Sequence, residues 1–487
     1  MQDLKENIMQ DIQALIDQSD ATALAELIRV GEVQPKELLE ATIARLEKVE
    51  PSLNAVAETL YEQARRQVPG TGPFSGVPTL IKDLFAPLTE ARMSNGSLAL
   101  GEARPGLDDE LVSRLRRAGC VFIGTTTSPE FGTSYTTEST RFGATRNPWD
   151  TERSAGGSSG GSAALVASRV VPFAHGNDGG GSLRVPASCC GVFGLKPSRG
   201  LVPSGPLIGE GWGGMGVGHA ITLSVRDSAA LLDLTSGADL GAPYAAPARP
   251  SSYLEAMGRP PRPLRIALVE QMEPWPSSTE ALSAVRDAAA LCEGLGHLVT
   301  PINLPVDLLK FYDMAFDIIG PNTRRYLDML GQMRGAPVQA EELEPRTRIY
   351  LRDKGGIGAV KYVRAIEGIH ALGRTFANFM CDFDVILTPT LTREPPLIGT
   401  LDVIDDQKDI GTLIECFHSY SPYTALFNAT GQPAMSVPLY WTPGGLPIGA
   451  HFVGRFGEEV TLLALAHQLE QAQPWAHRRP QINACVS

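Results

Sequence analysis

The chain has 487 residues, of which 43% are hydrophobic and 20% charged, with a net charge of −12 at pH 7. This excludes a disordered chain, which needs low hydrophobicity and high net charge, and it leaves no overall basic footprint for nucleic acid or an anionic membrane. No apolar run reaches the ~18 residues of a spanning helix, residues 1–20 carry no signal-peptide core, and seven scattered Cys argue against a disulfide framework and for a reducing cytoplasm.

Residues 20–67 read as helical. Ser19 or Asp20 caps a helix to Val30, Gly31 stops it, and Pro35 restarts the chain at a first-turn position. Leu38, Leu39, Ile43, Leu46 and Val49 then recur at helical spacing. From 75 to 235 short apolar runs (77–81, 121–124, 170–174) alternate with helical stretches (109–118, 162–168, 228–234), the α/β pattern. A strand, helix and strand follow at 264–269, 279–293 and 297–300. Residues 306–380 read as mostly helical, 383–453 return to strand and loop, and a last helix spans 459–471. There is no repeat or flexible linker, so the expectation is residues 1–70 as a helical lead-in and 71–487 as one catalytic domain, with 306–380 over its cleft.

Three stretches carry candidate chemistry. Gly156-Gly157-Ser158-Ser159-Gly160-Gly161-Ser162 and Gly176-Asn177-Asp178-Gly179-Gly180-Gly181-Ser182 are each rich in glycine beside hydroxyls. Such loops let backbone N–H groups converge on an anion or oxyanion. In the third, Gly76-Val77-Pro78-Thr79-Leu80-Ile81-Lys82-Asp83, a Lys ends an apolar run, and Lys is rarely buried unless paired. The bland readings are two flexible turns and a lysine reaching to water.

Other motifs fare worse. The first loop matches G-x-S-x-G at Ser158 and Ser159, but that elbow also needs an acid and a His, and no spacing supports His451 or His467. Neither loop has the Lys-Ser or Lys-Thr of a P-loop. Gly211–Gly216 matches G-x-G-x-x-G but precedes a strand, so it reads as a surface loop. Cys189-Cys190 lacks metal-ligand spacing, there is no H-E-x-x-H, and no metal or cofactor is expected.

Together the three stretches resemble the amidase signature family of serine hydrolases, strongly over residues 70–235. The resemblance continues through FDVILTPT (383–390), FNATGQPAMSVP (427–438) and GLPIGAHFVG (445–454). It implies an α/β fold with a large mixed twisted sheet covered on both faces by helices. It also implies Ser182 as nucleophile, Ser158 as a bridging serine in a cis peptide, and Lys82 as base. The N–H groups of Gly179, Gly180, Gly181 and Ser182 would form an oxyanion hole, supported by Ser159, Asp178 and Arg184. A lysine can act as base only when neutral, and burial can lower its ordinary value of about 10.4 by 3–5 units. The chain departs from the family pattern at Asn177, where Thr is common, and at Gly179, which reads as extra room beside the oxyanion.

GATRNPWD (143–150), HGNDGGGSLRVPAS (175–188) and PWAHRRPQ (474–481) look most like the bacterial branch that hydrolyses nylon-type oligoamides, with relatives acting on aryl amides and carbamates. The expected partner is therefore a small amide or carbamate, with no nucleic acid or membrane, in a monomer or homodimer. Phe316, Ile319, Tyr420 and Phe427 are candidates to line the cleft. The alternatives are an amidotransferase subunit that releases ammonia from glutamine, and an inactive binding module.

Overall fold

Asn54 decides where the first helical segment ends. The structure, a computed structural model, describes residues 11–68, 70–102 and 104–485; residues 1–10 and 69 of the expected lead-in lie outside the described residues. Helix α1 (Ala21–Arg29) is capped by the Asp20 carboxylate, which accepts the Ala23 N–H at 3.0 Å. Helix α2 (Pro35–Leu53) buries Leu38, Leu39, Ile43, Leu46 and Val49. Asn54, at φ +51°, closes α2, and the Glu50 carboxylate takes the N–H groups of Ala55 and Val56. The chain leaves extended, so Val56–Thr59 is a strand, β1, where helix was expected.

Strands β2 (Pro78–Lys82) and β3 (Val121–Thr126) are buried throughout. The order is β1-β3-β2, with β2 parallel and β1 antiparallel to β3. Eight further strands make the large sheet: β4 (Phe173–Asp178), β5 (Phe193–Lys196), β6 (Val217–Thr222), β7 (Arg265–Leu268), β8 (Leu298–Pro301), β9 (Val385–Pro389), β10 (Ala434–Trp441) and β11 (Pro447–Gly454), in the order β8-β7-β9-β11-β10-β5-β6-β4. Strand β7 is parallel to β8 and β9, and the other pairings are antiparallel.

Side chains alternate across this sheet. Val385 and Leu387 enter one apolar core while Ile386 enters the other, and Phe452 and Val453 divide in the same way. One core is shared with the helices at 279–294 and 459–472. The other is shared with α3 (Gly160–Ala167), α4 (Arg184–Cys190) and α5 (Leu308–Arg334). Helices thus cover both faces, the expected α/β architecture. The second core also takes α6 (Pro345–Lys354), α7 (Ala359–Phe379) and α8 (Ile410–His418).

Strand β4 starts three residues later than its apolar run suggests and continues through Gly176-Asn177-Asp178. Antiparallel pairing of Gly176, Asn177 and Asp178 with His219, Gly218 and Val217 draws those residues out of the expected loop. Among the described residues, no helix is long and apolar enough to cross a membrane.

Candidate active site

Lys82 ends β2 with no exposed surface. Its Nζ donates to Ser158 Oγ at 2.7 Å and to Asn177 Oδ1 at 2.7 Å. The Asn177 amide is oriented by its own Nδ2, which donates to Leu84 O at 2.6 Å. Both acceptors of the amine are neutral. Burial lowers the Lys82 pKa well below its ordinary value, with only the Asp178 charge opposing the shift.

Ser158 precedes α3 in a crowded turn. The Gly157–Ser158 peptide is cis. A Cβ on Gly157 would lie 2.4 Å from Thr136 O, and one on Gly161 would lie 2.5 Å from Ala55 O, so the small residues of this motif let backbone segments touch. Ser159 ties the two glycine-rich stretches together. Its N–H reaches Ser182 O at 3.3 Å and its Oγ donates to Asn177 O at 3.3 Å.

Ser182 lies between β4 and α4. Among the described residues its hydroxyl makes no hydrogen bond, and it retains 5% exposure. The preceding turn is built around Asp178, which accepts the Gly181 N–H at 2.7 Å and the Leu183 N–H at 3.1 Å. Arg184 Nε and Nη2 grip the same carboxylate at 3.0 and 2.9 Å. The guanidinium also donates to Thr424 O at 2.9 Å and Asn428 Oδ1 at 2.6 Å, and faces His451 Nε2 at 3.0 Å. Burial alone would raise the Asp178 carboxyl, but the charge and hydrogen bonds of Arg184 hold it well below the usual carboxylate range. A bidentate pair with its remaining donors satisfied is the form in which a buried ion pair is tolerated.

Of the expected oxyanion donors, the Gly181 N–H is therefore committed to Asp178. The N–H groups of Gly179, Gly180 and Ser182 donate to nothing among the described residues. The structure thus brings Lys82, Ser158 and Asn177 into one hydrogen-bonded group, with Asp178 and Arg184 beneath the turn that carries Ser182.

The family model described as Amidase matches residues 37–463. The chain belongs to the amidase signature family.

A 6-aminohexanoate-cyclic-dimer hydrolase of Paenarthrobacter ureafaciens is 38% identical over 480 residues, covering 95% of this chain and 96% of the relative. The solved structure of 6-aminohexanoate cyclic dimer hydrolase complexed with substrate superposes with a TM-score of 0.90 at 36% identity, over 95% of this chain and 99% of that one. A bacterial aryl acylamidase of the amidase signature family gives a TM-score of 0.85 at 28% identity, over 94% and 97% of the two chains. The protein is thus an amidase-family hydrolase acting on C–N bonds.

Several sequence expectations need correction. The elbow reading, already disfavoured by spacing, gains nothing: His451 sits in the Arg184 cluster with its Nδ1 3.0 Å from Thr388 Oγ1, and His467 pairs with Gln471 at 2.9 Å. Gly211–Gly216 is no simple surface loop, because Gly213, Gly214 and Met215 are buried. It brings Trp212 onto Gly179, where a Cβ would meet Trp212 Cζ3 at 2.7 Å. Gly179 therefore makes space that an indole already fills. Of the cleft candidates, Tyr420 and Phe427 have no exposed surface. Tyr420 puts its hydroxyl 3.4 Å from Cys189 Sγ, and Phe427 packs on Phe376 with centroids 5.5 Å apart. Both are core residues. Phe316 is buried on α5, at 6% exposure, and Ile319 beside it keeps partial exposure.

Sequence reasoning missed Tyr135 and Thr424, which touch the Ser182 turn from unremarkable segments, and passed over Trp212 inside the Gly211–Gly216 match. Asn428 and His451 lie inside FNATGQPAMSVP and GLPIGAHFVG, so a signal existed for them, though no role could be read from it.

Proposed function

We propose that this enzyme hydrolyses neutral secondary or aryl amides, nylon-type oligoamides and carbamates through an acyl-enzyme on Ser182. Lys82 is the neutral base, Ser158 relays the proton, and Ser182 attacks the carbonyl. The amine leaves with the relayed proton, and water releases the acid by the same route. The N–H groups of Gly179, Gly180 and Ser182 hold the oxyanion, while Gly181, Ser159, Asp178 and Arg184 keep the turn in shape. The carrying observation is the buried Lys82 amine, 2.7 Å from Ser158 Oγ and from Asn177 Oδ1, with the N–H of the next residue, Ser159, on the carbonyl of Ser182 at 3.3 Å.

In this reading residues 71–487 are the catalytic domain, the described residues of the lead-in, 11–68 and 70, pack on it, and the helices of 306–380 cover the cleft. Phe316 and Ile319 on α5 give the substrate an apolar wall. A nitrogen leaving group on a carbonyl is common to amide and urethane, so pocket shape rather than chemistry separates them, at about 1–3 kcal/mol per methylene. We place the enzyme in the cytoplasm, working without cofactor, membrane or nucleic acid, as a monomer or homodimer. The long likeness to a cyclic-dimer hydrolase favours an oligoamide over the glutamine of an amidotransferase.

The test is a matched set offered to the purified chain: an acyl anilide, a linear aminohexanoate oligomer, an aryl carbamate and glutamine. Turnover of the first three, lost in Ser182→Ala, is the expected result; turnover of glutamine alone contradicts the assignment.

A further inference from the structure

The peptide between Gly180 and Gly181 is clamped at both ends. Its N–H is held by Asp178 at 2.7 Å. Its carbonyl oxygen receives the Thr424 hydroxyl at 2.6 Å and the Tyr135 hydroxyl at 3.0 Å. The flanking peptides carry the free N–H groups of Gly180 and Ser182, so locking the middle plane aims the two on either side. The Asp178 end was legible in the motif. The carbonyl end is not part of it: Tyr135 comes from the loop after β3, and Thr424 from the segment after α8.

A tyrosine has a single proton to give. If Tyr135 spends it on Gly180 O, its oxygen is left as an acceptor, and His418 Nδ1 lies 3.2 Å away. The two bonds are compatible only when His418 carries its proton on Nδ1. The ring is held for that task. It stacks on Tyr312 with centroids 3.6 Å apart and planes 20° apart, and Phe316 meets it edge-on at 5.9 Å. Burial drops its pKa to about 3, so it is a neutral imidazole with one N–H to place.

We propose that His418 is a positioning residue for the oxyanion hole: it donates from Nδ1 to Tyr135, whose hydroxyl then holds the Gly180 carbonyl. The C-terminal residue of α8, in a stretch without any recognisable motif, thereby sets the aim of the backbone donors. Because Phe316 packs on the same ring, an occupant of the apolar wall and the oxyanion turn meet at one side chain. This rests on the proposed acyl-enzyme reading, in which the turn binds an oxyanion.

The test compares Tyr135→Phe, His418→Phe, His418→Asn and the double Tyr135→Phe/His418→Phe on an acyl p-nitroanilide. Each single phenylalanine variant is expected to lose about 10- to 100-fold in kcat, less than outright loss of an oxyanion donor, with KM within about threefold. The double variant should be no slower than Tyr135→Phe within about twofold, since one chain is broken in either case. Asn keeps an N–H donor near the Nδ1 position, so His418→Asn should recover most of the rate. Multiplicative losses, an effect on KM alone, or wild-type kcat in His418→Phe would each overturn the proposal. If His418→Phe does not fold, His418→Asn and the nitrogen spectrum of ¹⁵N-histidine-labelled wild type decide: an Nε2–H tautomer at His418 contradicts it. A sulfonyl fluoride that fails to label Ser182 in the wild type would instead refute the acyl-enzyme reading.

Discussion

Two fully buried basic side chains reach neighbouring residues of one strand end, Lys82 at Asn177 and Arg184 at Asp178, and their surroundings differ in kind. Arg184 faces a carboxylate, two carbonyl-type oxygens and an imidazole nitrogen. Lys82 faces a hydroxyl and an amide oxygen. The first set holds an ion pair together, and the second offers a charge little compensation. Burial therefore stabilises structure at Arg184 and prepares reactivity at Lys82. The lesson is that partner type, rather than depth, decides what a buried basic group does.

The sharpest way to break the comparison is to disturb each buried basic group in turn. Lys82→Met should lower kcat/KM by about 10⁴-fold, the upper range for loss of a general base, while raising the melting temperature. The sign follows from linkage. The native pKa of Lys82 lies below its unfolded value, so the native state binds fewer protons and stability climbs with pH until the unfolded value of about 10.4 is passed. Methionine removes that penalty at neutral pH. A variant less stable than wild type at pH 7 would count against a buried, neutral amine.

Asp178→Asn should act the opposite way, costing about 3–5 kcal/mol by leaving Arg184 without its carboxylate. The native Asp178 carboxyl titrates below its ordinary value. Its stabilisation is therefore full above about pH 4 and is lost as pH falls toward the depressed native value. Chemical denaturation from pH 7 to pH 2 should show the gap between wild type and variant closing on the acid side. A gap that stays constant would mean the pair contributes no linkage.

A smaller effect sharpens the boundary between the two regions. Gly179→Ala pushes a methyl into Trp212, an overpacking worth about 1–3 kcal/mol, and should cut activity about tenfold or more. Combining it with Trp212→Ala should restore part of that rate by freeing the space. Steady-state kinetics of the three variants read this directly, and additive losses in the double variant would show that the indole does not press on the turn.

How much of this was legible depended on what each residue contacts. The strands 78–82, 121–126 and 385–389 follow from apolar runs, and α2 from the helical spacing of its apolar residues, because local pattern and tertiary burial agree there. Val56–Thr59 was read as helix because its strand character comes from Asn54 and Glu50, which turn the chain, and from a partner strand some 65 residues away. At the site, Lys82, Ser158, Ser182, Asp178 and Arg184 stand inside short motifs. Tyr135, His418 and Thr424 act only through contacts made across the fold, between segments with no common pattern, and Trp212 stands in a glycine-rich match whose target, Gly179, the sequence does not name. The role of Asn177 lies between these cases: its departure from Thr is visible in the motif, but its grip on the Lys82 amine is made only in the fold.

The most direct measurement of the central claim is the pH dependence of Ser182 labelling by a sulfonyl fluoride, followed by peptide mass in wild type and Lys82→Ala. The account predicts a single adduct on the peptide carrying Ser182. Its rate should rise with pH through one ionisation well below the ordinary lysine value, and fall by orders of magnitude in Lys82→Ala. An adduct on Ser159, or a rate flat from pH 5 to 9 and untouched by the lysine substitution, would contradict it.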